Sequence, residues 1–413
     1  MHVLIVAQQW SPERGIAQRR MQWITNALIA RGHSVAVLTA PPHYPLGHLL
    51  SDQPDHGPYS VSRGPSGELI WRGNFRPHNF QLRTRVIDQA VIALTSLRMA
   101  IPALRRQRPD IILATAPPLP AVSTAHILAC LLRVPFVVDL RDAWPDLSTY
   151  ISSGGTTNSS ASTGRRVFSA LVHLPAKVIG YEMSRAAGVV TTTASLASIL
   201  GKRWDVPTLH ISNLRAWKAR PPLECPPAAD SDRLEILYTG TVGRAQGLAN
   251  ALDALDLLRE RGVNVHLSLI GSGAQMSLLR AEAIRRDLPV TFYDSMPRDD
   301  VMKRYEDADT LLVHLEDWEP LRWTVPSKLY EAIGSGRHVT FVGAGDSADM
   351  VRESHAGDTV PPRDPRALAQ LWERLSRDRS DLDVGTRGAR WLASLPSNRH
   401  TLDSFVGFLE GLA

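Results

Sequence analysis

Short apolar runs alternate with helical patterns through most of the chain. The runs cover residues 2–7, 34–39, 110–115, 134–140 and 187–192 in the first half, and residues 234–240, 265–271, 290–293, 310–315 and 338–342 in the second. Strands that alternate with helices build a parallel sheet that has helices on both faces. The pattern therefore predicts an α/β fold with two doubly wound, Rossmann-like parallel sheets.

The stretch between the two halves has the composition of a linker. Residues 220–227 read Arg-Pro-Pro-Leu-Glu-Cys-Pro-Pro, which predicts a hinge. Two α/β halves joined by a hinge form a cleft, and a cleft is the usual place for a ligand. Residues 152–164 are rich in Ser, Gly and Thr. They predict either a loop on the ligand-facing rim or a neutral insertion.

The composition is that of an ordinary soluble protein. The 413 residues are 44% hydrophobic and 21% charged, and the net charge of +5 is spread out, so we expect no nucleic-acid partner. Cys130 and Cys225 are too few and too far apart for a disulfide framework or a zinc site, which indicates a reducing compartment. Residues 1–7 predict a strand rather than a signal peptide, and no run of about 20 apolar residues predicts a membrane span. We expect a cytoplasmic protein.

Residues 325–336 carry the strongest chemical signal. They follow an apolar run, and Pro326 predicts the first position of a helix. The amides of Ser327, Lys328 and Leu329 would then face outward at the positive end of the helix dipole. This arrangement predicts an anion-binding site.

Two charged side chains make this site suitable for a nucleotide. Lys328 adds a full positive charge to the amides. Glu331, about one helical turn further on, can accept hydrogen bonds from a diol such as a ribose. A phosphate site beside a diol-binding carboxylate predicts a bound nucleoside diphosphate.

A glycine-rich turn follows the run at residues 234–240. Gly240, Gly243 and Gly247 let the backbone approach a phosphate, and Arg244 can pair with an oxyanion. The spacing differs from the GxGxxG dinucleotide fingerprint, and the sequence Gly-Lys-Ser/Thr of a phosphate loop is absent. Because glycine-rich turns are common, an ordinary βα turn remains the alternative.

The first half offers two further candidate loops. Gly15 lets the backbone approach a ligand, and Arg20 falls in the first turn of the following helix. Arg141 and Asp142 follow the run at residues 134–140, where polar side chains are costly unless they have a function. The alternatives are surface arginines in an ordinary turn for the first loop, and a helix cap with an ion pair for the second.

No spacing of histidine, cysteine and carboxylate side chains predicts a metal site. The Asp-x-Asp strings at residues 307–309 and 381–383 suit strand-entry and surface positions, and the fourteen histidines are scattered. His33 and His338 are typical of the ends of elements. We therefore expect no bound metal.

Residues 82–108 predict a helix in which apolar side chains alternate with arginines. An apolar face flanked by arginines can lie on an anionic membrane surface. Packing of an ordinary helix against the core explains the same pattern, so both interpretations stay open.

The order of these motifs resembles that of the family 4 retaining glycosyltransferases of GT-B architecture, especially the bacterial cell-surface polysaccharide branch. The resemblance covers essentially the whole length, and it is carried by residues 12–20, 31–35, 141–145, 211–213, 240–247, 270–273 and 326–331. It implies two Rossmann-like domains facing across a cleft, residues 1–215 plus 395–413 and residues 216–394. It also implies that a C-terminal helix at about residues 401–412 returns to the first domain.

The resemblance assigns roles to single residues. Glu331 would bind the ribose, Gly15 would approach the diphosphate from the opposite domain, and Asp142 would contact the donor sugar or the acceptor. The residues assigned to catalysis are Asp142, Arg141, Arg244 and Lys328. The residues assigned to donor binding are Gly15, Arg20, Gly240, Gly243, Arg244, Gly271, Ser327, Lys328, Leu329 and Glu331.

Three positions depart from the family pattern. Trp323 stands where many members carry a second glutamate, eight positions before Glu331. Thr241 and Gln246 stand where an Arg/Lys pair usually holds the diphosphate, so Arg244 and Lys328 would replace that pair.

The predicted activity is retaining, metal-independent transfer of a hexosyl group from a UDP- or GDP-sugar, which is a substrate, and no other cofactor is expected. The acceptor is a lipid-linked or polysaccharide-precursor hydroxyl, at the inner face of the plasma membrane if residues 82–108 contact it. The alternatives are transfer to a soluble small molecule, a sugar-nucleotide 2-epimerase, and a non-catalytic sugar-nucleotide binder.

Overall fold

The computed structural model divides the chain into two units. The first contains Met1–Ala216 and Pro396–Ala413, and the second contains Trp217–Leu395, so the predicted boundaries differ by one residue. The structure describes residues 1–13, 15–44, 47–79, 82–147, 150, 176–213, 221–223 and 231–413. The predicted loop at residues 152–164 and most of the predicted linker at residues 220–227 lie outside the described residues.

The first unit is built on an eight-stranded sheet with the order β3-β4-β2-β1-β5-β6-β7-β8. Its strands are β1 (His2–Val6), β2 (Ser34–Thr39), β3 (Val61–Arg63), β4 (Leu69–Arg72), β5 (Ile111–Ala116), β6 (Phe136–Leu140), β7 (Gly188–Thr191) and β8 (Thr208–His210). The pairs are parallel except for β3 and β4. The helices between these strands are α1 (Ile16–Ala30), α2 (Leu82–Arg106), α3 (Pro120–Leu132), α4 (described over residues 176–184) and α5 (Ala194–Trp204).

The second unit is built on a six-stranded parallel sheet with the order β11-β10-β9-β12-β13-β14. Its strands are β9 (Leu234–Thr241), β10 (Val265–Ser272), β11 (Val290–Tyr293), β12 (Thr310–His314), β13 (His338–Val342) and β14 (Gly357–Val360). Its helices are α6 (Ala249–Glu260), α7 (Met276–Arg285), α8 (Arg298–Asp307), α9 (Ser327–Gly334), α10 (Asp346–Ser354), α11 (Pro365–Arg377) and α12 (Arg387–Ser394).

The last helix, α13 (Asn398–Leu412), belongs to the core of the first unit. Phe405, Val406 and Leu409 are buried among the apolar residues of the first sheet and α1. His33 Nε2 lies 3.0 Å from Glu410 Oε1, and this contact holds the end of α13 against the segment that follows α1. The chain therefore returns to its first unit, as the resemblance implied.

All ten apolar runs that predict strands form strands, and within the described residues four further strands were not predicted. The missed strands are β3, β4, β8 and β14. Three of them lie at sheet edges, and all four have three or four residues. An edge strand needs less apolar sequence because one side of it stays in solvent, so its pattern is weak.

Helix α2 is apolar over an unusual length. The window Thr84–Leu104 has the length and composition to cross a bilayer, with 22% of it buried, and core helices of soluble proteins pass the same test. It packs against α3, β2 and β4. At its ends, the side chains of residues 82, 83, 105 and 106 lie outside the described part of the structure.

Candidate functional site

The strand order of the second sheet places a ligand crevice at the carboxyl ends of β9 and β12. The chain runs from β9 to β10 and β11 on one side and then returns to β12 on the other. Open α/β sheets bind ligands at such a reversal. The loops after the two strands are joined there, because the Glu316 N–H donates to the Ala245 carbonyl over 2.8 Å. The two motifs of the second half therefore meet at one edge.

The start of α9 faces this edge, and the helix begins one residue later than predicted. Pro326 is the N-cap residue, with φ of −64°, and its side chain makes no capping hydrogen bond. The amides of Ser327 and Lys328 are the first of the helix and have no carbonyl one turn earlier to accept from them. The predicted contribution of Leu329 fails, because its N–H already donates to the Pro326 carbonyl over 2.9 Å and its side chain is buried.

Lys328 crosses from α9 to the end of β9. Its ammonium donates to Thr239 Oγ1 over 3.2 Å. Its alkyl chain lies over Gly240, where an added Cβ would be 2.9 Å from Lys328 Cε. Burial lowers the pKa of Lys328, and the nearby carboxylate of Glu331 opposes that shift. Gly240 therefore contributes by leaving room for the lysine.

Glu331 is held by a residue that sequence reasoning missed. The Arg298 Nη2 atom, at the start of α8, donates to Glu331 Oε1 over 3.2 Å. The Glu331 side chain remains 18% exposed, so part of the carboxylate can meet a ligand. No motif links positions 33 residues apart, so the pair becomes visible only in the folded structure.

The glycine-rich loop after β9 closes on itself. Gln246 Oε1 accepts from the Gly243 N–H over 3.0 Å, and Arg244 begins the single 3-10 turn between them. Arg244 is exposed, and Gly247 ends the turn with φ of +56°. Gln246 thus shapes the loop where a charged residue was expected, while Arg244 stays accessible to an anion.

Gly271 has a structural reason to be glycine. It pairs with Gly240 in the ladder between β9 and β10, with φ of +154°. A Cβ at this position would lie 1.8 Å from the Gly240 carbonyl oxygen. Close packing of the two strands requires glycine at this position, and the expected contact with the donor stays a prediction.

Arg20 is also placed differently from the expectation. Its guanidinium is 1% exposed and pairs with the fully buried carboxylate of Asp139 at 2.8 Å. It also donates to the Ile211 and Ser212 carbonyls, over 2.9 and 3.2 Å. These bonds tie α1 to β6 and to the segment after β8, so the structure gives Arg20 a structural role in place of donor binding.

Gly15 is the N-cap of α1 and is partly exposed. Its φ of −163° is ordinary extended backbone. The nearest atom to an added Cβ would be Gln9 Oε1, at 4.0 Å. Within the described residues, neither backbone strain nor crowding requires glycine at this position. The space beside Gly15 is therefore open to a ligand.

Arg141 and Asp142 follow β6 and differ in exposure. The Arg141 Nη2 atom donates to the Pro117 carbonyl, which fixes the guanidinium, and burial lowers its pKa. Asp142 is exposed at the surface of the loop. Loss of solvent around the carboxyl group nevertheless raises its pKa, and the charge of Arg141 opposes that shift. Asp142 is therefore the acid of this loop that a ligand can reach.

Comparison with known families gives these two units an identity. Residues 15–212 match the model described as a glycosyl transferase 4-like domain, and residues 233–378 match the model of glycosyl transferases group 1. Together the matches cover most of both units. The chain belongs to the family 4 glycosyltransferases.

One relative of this glycosyltransferase is named for the synthesis of a polysaccharide. The Escherichia coli protein named as a colanic acid biosynthesis glycosyl transferase, WcaI, is 25% identical over 315 residues, which are 72% of this chain and 74% of WcaI. Among solved structures, sucrose-phosphate synthase from Thermosynechococcus elongatus superposes with a TM-score of 0.69 at 16% identity, over 100% of this chain and 98% of that one. HepE from Anabaena, solved with UDP-glucose, superposes with a TM-score of 0.63 at 14% sequence identity, over 100% of both chains. The fold of this glycosyltransferase is therefore GT-B.

A buried pair behind the donor-side loops was also missed from the sequence. The Asn250 side-chain amide lies 3.1 Å from His314 Nε2, where α6 meets the end of β12. Burial lowers the pKa of His314 to about 4, so the imidazole of this glycosyltransferase is neutral near pH 7. The pair fixes the loop after β9 from behind.

Proposed function

We propose that this glycosyltransferase moves a hexosyl group from a UDP- or GDP-linked sugar with retention of anomeric configuration. The arrangement of α9 carries the donor assignment, because the Lys328 ammonium, 3.2 Å from Thr239 Oγ1, lies one turn from the Glu331 carboxylate. The diphosphate meets the ammonium and the amides of Ser327 and Lys328, while the ribose diol bonds to Glu331. The complex of HepE with UDP-glucose supports a donor of this class.

The proposed step needs no protein nucleophile. The acceptor hydroxyl oxygen bonds to the anomeric carbon on the face from which the diphosphate leaves. The bond from that carbon to the phosphate oxygen breaks, and the hydroxyl proton passes to the leaving diphosphate. Lys328, Arg244 and the start of α9 stabilise the charge that develops on the diphosphate, in the role that Mg²⁺ or Mn²⁺ fills elsewhere. Asp142 contacts the donor sugar or the acceptor.

The donor site is tested with variants of its two charged residues. We expect Lys328→Ala to lower turnover by about 100-fold or more, since removal of one stabilising donor has an effect of that size. Glu331→Gln keeps the shape but weakens binding of the diol. Lys303→Ala is the matched control, because its side chain is 72% exposed on α8. Turnover is measured as release of UDP or GDP, and the product anomer by NMR.

Two results would overturn this proposal. An inverted anomer in the product would exclude the front-face step. Turnover that depends on added Mg²⁺ or Mn²⁺ would show that Lys328 and Arg244 do not suffice to neutralise the diphosphate.

The acceptor proposed is a lipid-linked or polysaccharide-precursor hydroxyl at the cytoplasmic face of the membrane. On α2, Val86, Ile87 and Leu94 are 56%, 44% and 68% exposed. Arg98, four residues after Leu94, is exposed on the same face. Apolar side chains beside an arginine suit the surface of an anionic bilayer. The polysaccharide role in the name of WcaI supports the same acceptor class.

Vesicle co-sedimentation tests this surface. We expect binding to vesicles that contain phosphatidylglycerol and weak binding to pure phosphatidylcholine. The double variant Ile87→Glu/Leu94→Glu should lose the binding. Ile284→Glu on α7 should keep it, because that apolar side chain, 74% exposed, lies on the second unit. Equal sedimentation of both variants would contradict the membrane contact and favour a soluble acceptor.

A further inference from the structure

Three side chains converge between the loop after β2 and the start of α2. The carboxylate oxygen Oδ2 of Asp88 lies 3.1 Å from His43 Nε2 and 3.7 Å from His78 Nε2. The three atoms all lie within 4.8 Å of one another. The side chains are 4–6% exposed. The cluster joins three segments that are distant in the sequence, which is why no spacing predicted it.

The backbone around the cluster fixes which atoms carry protons. His43 Nδ1 lies 2.6 Å from the Pro41 carbonyl, and His78 Nδ1 lies 2.9 Å from the Asn79 carbonyl. A carbonyl oxygen only accepts, so both Nδ1 atoms must be donors. In the neutral imidazoles, both Nε2 atoms therefore present lone pairs toward the carboxylate. The other oxygen of Asp88, Oδ1, accepts from the Arg76 N–H over 2.8 Å.

We propose that His43, His78 and Asp88 bind one divalent transition-metal ion of the zinc type. Tetrahedral zinc with bonds of about 2.0–2.1 Å separates its ligand atoms by about 3.3 Å, and the two contacts of Asp88 bracket that value. Metal-bound histidines donate their other ring nitrogen to a carbonyl or carboxylate, which is the arrangement of both imidazoles here. Three protein ligands leave a fourth position for water.

A proton is the competing occupant of the cluster. Shared between His43 and Asp88, it would turn their 3.1 Å contact into an ion pair. It would leave His78 Nε2 facing an acceptor oxygen at 3.7 Å, with no attraction between them. A metal ion would bind all three atoms once the cluster, whose atoms lie within 4.8 Å of one another, closes around it. This difference makes His78 the residue that separates the two explanations.

The site would order one edge of the first unit. Glu13 accepts from the backbone N–H groups of His43 and Tyr44, over 2.9 and 2.8 Å. It also accepts from the Trp10 N–H over 3.2 Å. A metal that fixes His43 to α2 therefore also fixes the loop before Gly15. This role is structural and does not depend on the donor or acceptor that we propose for the transferase.

Metal binding is measured on the full chain without a histidine tag and without donor. We expect about one zinc per chain by mass spectrometry after zinc loading and removal of excess metal. Zinc should also raise the melting temperature of the EDTA-treated protein. His78→Ala and Asp88→Asn should weaken zinc binding by more than about 100-fold, since outer-shell changes alone weaken it 10–100-fold. His48→Ala is the control, because it removes an exposed histidine from the same loop.

Cobalt gives a second readout that does not depend on stability. Tetrahedral Co²⁺ in the loaded wild-type protein should absorb in the visible range, and the band should be lost in Asp88→Asn. Absence of stoichiometric zinc in folded wild-type protein would overturn the proposal. So would zinc affinity in His78→Ala equal to that of His48→Ala, and either result would identify the cluster as a proton-bridged pair of His43 and Asp88.

Discussion

The Lys328 ammonium donates to Thr239 Oγ1 over 3.2 Å, and its alkyl chain fills the space above Gly240. A helix start and a strand end are thus joined through one side chain. Because Gly240 sits directly under that chain, its hydrogen atom is what allows the ammonium to reach β9. The donor proposal therefore depends on a glycine as much as on the two charged residues.

We expect Gly240→Ala to impair donor binding more than stability. Its Cβ would lie 2.9 Å from Lys328 Cε, and its φ is +142°, so the lysine must move and the backbone is strained by about 1–3 kcal/mol. Gly262→Ala is the matched control, since its φ is +69° and nothing lies within 4 Å of an added Cβ. Donor affinity and melting temperature are measured for both. Equal donor affinity in the two variants would argue against the position assigned to Lys328.

The pair of Arg20 and Asp139 predicts a large stability effect. With side chains 1% and 0% exposed, removal of either partner leaves an uncompensated buried charge, which costs about 3–5 kcal/mol. Arg20→Met and Asp139→Asn should each lower the midpoint of the urea transition of the first unit. The double variant Arg20→Met/Asp139→Leu should recover part of the loss.

An exposed pair provides the control for that experiment. Arg352 and Asp349 are 60% and 62% exposed, so Arg352→Ala should change stability by about 0.5 kcal/mol or less. If Arg20→Met left stability unchanged but abolished donor binding, the original assignment of Arg20 to the donor would be correct.

The sequence predicts the fold well because each central strand is a continuous apolar run. Buried strands such as β5 and β13 have every residue buried, and burial on both faces requires that composition. The start of α9 was predicted to within one residue, because proline favours the beginning of a helix, although Pro326 is the N-cap and Ser327 is the first helical residue. Edge strands such as β3 lack such a signal.

Side-chain pairing was not readable in the same way. Arginine is a residue type that often binds ligands, and this is why Arg20 was assigned to the donor. Its partner Asp139, however, lies 119 positions away in the sequence, and the two side chains form a buried ion pair. Gly271 was assigned to the donor by the resemblance, and its close packing against Gly240 becomes visible only in the folded sheet. His43, His78 and Asp88 meet only because α2 packs beside the loop after β2. Such contacts depend on the whole fold.

Gly15→Ala tests whether a ligand approaches the start of α1. The nearest atom to the new Cβ is 4.0 Å away, so we expect stability to change by less than about 1 kcal/mol. If a phosphate or sugar contacts the backbone at this residue, KM should rise while the melting temperature stays the same. An unchanged KM for both substrates would remove Gly15 from the ligand-binding set.

The neutral His314 predicts that the second unit loses stability in mild acid. Its pKa is ordinarily 6.5 and falls to about 4 because burial disfavours the imidazolium. Since the unfolded chain binds the proton more tightly, the stabilisation is complete above pH 6.5 and is lost as the pH falls toward 4. The loss across that window is about 3 kcal/mol. In His314→Gln the glutamine side chain can still accept a hydrogen bond from Asn250, and the pH dependence of the free energy of unfolding should be smaller.

Urea titrations of the second-unit transition at several pH values measure this effect. His48→Gln is the control, because it removes an exposed histidine that lies in the first unit and not in the second. The difference between wild type and His314→Gln isolates His314 from the carboxyl groups that titrate in the same range. Parallel curves for the two proteins would mean that His314 is not kept neutral by burial.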